Sequence, residues 1–89
     1  MPKTVEIDFS QIKDWDGFYR HLHRAFPLPA HFGDNLDALY DYISAELELP
    51  IHIRFVHINR QQQKFFRKLW HLLEMAERNV SGFSFSKTI

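Results

Sequence analysis

Cysteine is absent from the chain, which excludes disulfide staples, a thiolate zinc site and a cysteine nucleophile. Glycine is scarce, three residues in all, and Gly33 and Gly82 stand singly at turn positions, so no glycine-rich phosphate-binding loop can be built. No stretch approaches the roughly 18 consecutive apolar residues of a membrane span. The opening MPKTVEIDF has neither a long apolar run nor a small-residue cleavage site. An excess of either charge is missing too: 11 basic and 11 acidic residues cancel, which argues against a general nucleic-acid binder. These absences imply a soluble cytoplasmic protein with no membrane and no nucleic acid among its partners.

What is present is apolar. Hydrophobic residues make up 45% of the 89 positions, with nine Phe, two Trp and three Tyr. That is enough for one domain, residues 1–89, with one core. Residues 4–9 alternate and favour a strand. Trp15, Phe18, Tyr19, Leu22 and Phe26 recur at helical spacing behind Asp14, a capping residue, and Pro27 and Pro29 stop that helix. The loop LPAHFG then gives Gly33 a turn that other residues adopt less readily. Asp34 or Asn35 caps a second helix, whose Leu36, Leu39, Ile43 and Leu47 form a buried stripe. Residues 50–58 read as a central strand, residues 60–78 as the longest helix with Phe65, Phe66, Leu69, Leu72, Leu73 and Ala76 in its core stripe, and residues 83–89 as a last strand. Trp15 and Trp70 fall on apolar stripes and are expected in the core. This order predicts an α/β fold with a small parallel sheet and right-handed helical crossovers.

Charge sign is segregated along the chain. From residue 26 to residue 53 there is no Lys or Arg, while Asp34, Asp37, Asp41, Glu46 and Glu48 are all acidic. At about 100° per residue, Asp37, Asp41 and Ser44 share the exposed flank of the second helix, and Tyr40 sits between its two faces. The macrodipole favours Asp37, in the first turn, by roughly 0.3 to 1 kcal/mol. It does little for Asp41, and like charges four residues apart cost a few tenths of a kcal/mol. A solvated face tolerates that cost. The missing cations and half-exposed Tyr40 point instead to a binding surface. An acid–base carboxylate pair would need one carboxyl desolvated, and a convex helix offers nothing to do so. A metal site of Asp37, Asp41 and His31 uses legitimate ligands but matches no specific spacing. The other histidines show no ligand pattern, and no nucleophile with a neighbouring base is visible, so the chain does not read as an enzyme and no cofactor is called for.

The run LP, FGDNLDALYDYI, a short acidic segment and LP before a strand resembles the barstar family, intracellular inhibitors of an extracellular bacterial ribonuclease. The spacing of Pro29, Gly33, Asn35, Leu36, Asp37, Ala38, Leu39, Asp41 and Pro50 carries the resemblance. It implies a three-stranded parallel sheet flanked by helices, acting as a proteinaceous plug that is a monomer when free. The second helix and its preceding loop would enter the basic active-site cleft of a secreted or toxin-like ribonuclease. By the same resemblance Asp37 and Asp41 correspond to the family's acidic pair, with Asp41 in the place of an RNA phosphate. Tyr40 stands where the family has an interface tryptophan and His31 where it has an interface tyrosine. Gly33 and Asn35 match the loop, Ser44 and Glu48 extend the surface, and Glu74 is the counterpart of a peripheral acidic contact. Glu46 replaces an aromatic residue, and the segment after Pro50 is shorter, which implies that the family's small third helix is removed or trimmed. The alternative is a module of the same fold with a different basic partner.

Overall fold

A computed structural model describes residues 3–89; Met1 and Pro2, part of the expected 1–89 domain, lie outside it. The elements in chain order are β1 (Lys3–Asp8), a 3-10 turn (Phe9–Gln11), α1 (Trp15–Ala25), α2 (Leu36–Ala45), β2 (Ile51–Val56), α3 (Arg60–Phe65), α4 (Arg67–Asn79) and β3 (Phe83–Lys87). The three strands form one parallel sheet with β2 in the centre, β1 on one side and β3 on the other. Val5 pairs with Ile53 and Ile53 with Phe85, and two residues further on Ile7 pairs with Phe55. The alternation of the strands therefore separates two faces. Ile7, Ile51, Ile53, Phe55 and Phe83 are buried on one. On the other, Thr4, Glu6 and Arg54 are exposed and His52, Ser84 and Ser86 half-buried. Parallel sheets are usually covered on both faces. Here a polar ladder takes the place of the second cover: the two ring nitrogens of His52 bridge the hydroxyls of Ser84 and Ser86 at 2.7 and 3.0 Å.

Residues 60–78 do not form the single helix expected from their spacing. The chain breaks at Phe66, whose φ of −97° and ψ of 23° end α3 and begin α4. Two local causes are visible. Asn59 and Gln62 make a reciprocal capping box that starts α3. The Gln62 amide also donates to the carbonyls of Phe9 and Ile12, both at 2.8 Å, and so ties α3 to the turn after β1. The break lets Phe66 become fully buried among Phe9, Trp15 and Phe18, with ring centroids 5.3, 4.7 and 6.0 Å away. It also turns Phe65, expected in the core, outward to 52% exposure against the half-buried Trp15. A six-residue helix, α3, thus stands between β2 and α4. Trp70 is buried, as its spacing implies, with Lys87 Nζ 5.1 Å from its ring centre.

Candidate functional site: the acidic flank of α2

The loop after α1 is closed by a turn in which the Phe32 N–H donates to the Pro29 carbonyl at 3.0 Å, leaving His31 exposed at its tip. Phe32 anchors the loop, its ring 6.3 Å from Tyr19 and 6.4 Å from Tyr42. The left-handed turn falls on Asp34, with φ of 48°, and not on Gly33 as the sequence suggested. Gly33 is needed for space instead. A Cβ there would lie 2.8 Å from Nδ2 of Asn35, the amide that donates to the Gly33 carbonyl at 3.1 Å. The other end of the same side chain accepts the Ala38 N–H at 2.8 Å, so Asn35 is the cap of α2. Such a cap contributes about 1 kcal/mol.

From that cap α2 runs with Leu39, Tyr42 and Ile43 buried and Leu36 and Tyr40 half-buried. Tyr42, which the expected stripe omitted, is held neutral to higher pH than usual by burial and by the Glu46 carboxylate. Asp37, Asp41 and Ser44 face solvent on the opposite flank. The Ser44 hydroxyl donates back to the carbonyls of Tyr40 and Asp41, at 2.9 and 3.2 Å. The Tyr40 hydroxyl accepts from the Asn79 amide of α4 at 3.3 Å, which sets the angle of its ring. Between α2 and α4 lies a shallow open groove lined by Asp37, Tyr40 and Asp41 on one wall and Leu72 and Met75 on the other.

Among the described residues, the carboxylates held in ion pairs are Glu6, Asp8 and Asp34. Asp37 and Asp41 have no cation of the described residues within 4.0 Å. Nor do they converge with His31 on a metal position: among the described residues no three His, Asp or Glu side chains come together. Glu48, with Glu46, lines a separate depression beside Lys3 and Pro27 at the other end of α2. Glu74 is exposed on α4. It sits about 100° round the helix from Met75, and is not among the groove's lining residues. Met75, 40% exposed, occupies the wall beside the aspartates. The sequence offered a signal for it, a large apolar residue just outside the stripe of Leu72 and Ala76, but only the packing of α4 on α2 shows what it faces.

No helix is long and apolar enough to cross a membrane among the described residues. A family model described as "Barstar (barnase inhibitor)" matches residues 2–87, nearly the whole chain, and the chain belongs to that family. The description is that of a ribonuclease inhibitor, not of an enzyme.

Proposed function

We propose that this member of the barstar family inhibits a barnase-type ribonuclease in the cytoplasm by seating the α2 flank and its preceding loop in the enzyme's active-site cleft. A cleft that binds the phosphates of RNA presents Arg, Lys and His to its substrate. Asp37 and Asp41 offer carboxylates where phosphate oxygens would sit, and Asp41, further from the helix start, takes the place of the phosphate. Being carried on a capped helix, they are ordered before the partner arrives, which spares the entropy of ordering a chain on binding. Tyr40, Ser44 and the loop residues His31, Gly33 and Asn35 surround the pair; Glu48 and Glu74 form the rim. Rim charges act mainly on association rate and are screened within about 8 Å at physiological salt.

One observation carries this reading: two neighbouring carboxylates stay exposed on a helix with no cation among the described residues paired to them. The test is a titration of ribonuclease activity with wild-type protein and Asp41→Ala. The expected outcome is at least tenfold weaker inhibition by the variant, or about 1.4 kcal/mol, with the thermal midpoint unchanged or slightly raised by relief of like-charge repulsion. Equal inhibition would remove α2 from the interface. The alternative, a different basic partner, draws on the apolar wall of Leu72 and Met75, which asks for a partner with an apolar contact beside its cations. Recovery of a basic protein other than a ribonuclease, bound through Asp41, would decide for it.

A further inference from the structure

Resting on that reading, we propose that His23 of α1 is a positioning residue for the inhibitory surface, acting as a protonation-sensitive latch on Asp34. The two are eleven positions apart, yet Nε2 of His23 donates to Oδ1 of Asp34 at 2.8 Å. The Phe32 ring stands edge-on to the imidazole, 5.7 Å between centres at 85°, and fixes its plane. Asp34 is the residue that needs holding. Its φ of 48° is left-handed, a conformation that Asp enters more readily than most residues but that still costs more than the extended or right-handed regions. It immediately precedes Asn35, whose side chain caps α2 and orients Asp37 and Asp41. A line of contacts therefore runs from α1 through Asp34 to the helix start.

The latch works at two strengths. A neutral imidazole can donate one hydrogen bond to the carboxylate. An imidazolium adds charge attraction to that hydrogen bond. The imidazolium would also offset part of the repulsion between Asp34 and Asp37, three residues on along the chain. Along the chain, Arg20 lies three residues before His23 and Arg24 directly after it on α1, and His31 three residues before Asp34 in the loop. Tyr19 lies beneath: its hydroxyl is pushed up to about 12, chiefly by burial and then by the Asp34 charge, so it stays neutral well below that value.

The test compares affinity for barnase, measured as inhibition at pH 6 and pH 8, in wild type, His23→Leu, His23→Gln and Asp34→Asn. The ribonuclease's own titration cancels in ratios between variants. His23→Leu should weaken binding about fivefold at pH 6 and about twofold at pH 8, the range of a partly exposed ion pair. His23→Gln, which keeps a donor without charge, should match wild type at pH 8 and lose the extra affinity at pH 6. In an Asp34→Asn background, His23→Leu should cost under twofold at either pH. Equal affinity of wild type and His23→Leu at both pH values would overturn the latch. So would an undiminished His23→Leu penalty without the Asp34 charge. The free protein supplies an independent readout. Exchange of the Ala38 amide, the hydrogen of the Asn35 cap, should quicken about fivefold at pH 6 in His23→Leu. Unchanged exchange overturns the latch. Faster exchange together with no wild-type inhibition of barnase keeps the latch and refutes the inhibitor reading alone.

Discussion

On the polar face of the sheet, Glu6 and Asp8 lie 3.6 and 2.9 Å from Arg54 and His57, whereas on α2 Asp37 and Asp41 have no such partner among the described residues. Both sets of carboxylates are on the surface, so exposure does not separate them. What separates them is how neighbours are assigned. In the sheet, register sets Glu6 directly opposite Arg54 and brings Asp8 beside the residue after Val56. On α2 the neighbours along the helix come from a segment with no Lys or Arg. The sheet gives its acids partners from the fold itself; among the described residues, the helix gives its pair none.

Supplying the helix with its own cation should break that contrast most directly, after the loss of Asp41 itself. Ala45 is exposed and lies four residues beyond Asp41. Ala45→Lys should form an acid-to-base helix pair and raise stability by a few tenths of a kcal/mol. Inhibition, followed by the same titration, should weaken about fivefold, since the carboxylate would then be partly neutralised in the free protein. A gain in both stability and inhibition would show that Asp41 does not face cations in the complex.

Gly33→Ala probes how α2 is presented without touching a charge. The added Cβ must displace the Asn35 amide, so the variant should lose about 1 kcal/mol of stability in urea denaturation, the worth of the cap. Inhibition should fall about threefold, less than a direct contact would cost. Retention of full stability would mean that the cap survives the substitution.

On the sheet face the expected effects are smaller. Glu6→Ala removes an exposed ion pair and should change stability by under about 1 kcal/mol, with inhibition unchanged. Asp8 has a carboxyl held down to about 2, from a usual value of 3.8, first by the Ser10 backbone N–H and then by His57. Because the folded value is the depressed one, the stability that Asp8 contributes is complete above about pH 3.8 and drains away as pH falls toward about 2. Thermal midpoints of wild type and Asp8→Asn should therefore differ at pH 5 and converge near pH 2. A gap that persists at the lower pH would mean that Asp8 acts by something other than its charge.

The sequence carried the sheet because alternation along residues 51–56 survives whatever packs above it, and it carried the acidic flank because helical spacing alone puts Asp37, Asp41 and Ser44 together. It misread residues 60–78. Their 3.6-residue period is real, but a break at Phe66 rests on the reach of Gln62 to Phe9 and Ile12, fifty or more positions away. Gly33 was assigned the turn and Asp34 or Asn35 the cap, because all three residue types suit such places. In the fold Asp34 takes the left-handed turn and Asn35 the cap.

Sequence by itself determined the element order, the buried stripes and a cation-free acidic segment, since each depends on neighbours within a few residues. Tertiary structure alone decided that Met75 and not Glu74 flanks the aspartates, that Phe65 turns outward while Phe66 goes in, and that His23 reaches Asp34. These depend on how separate helices are rotated against one another, a quantity that local periodicity leaves free and that close packing of the shared core fixes.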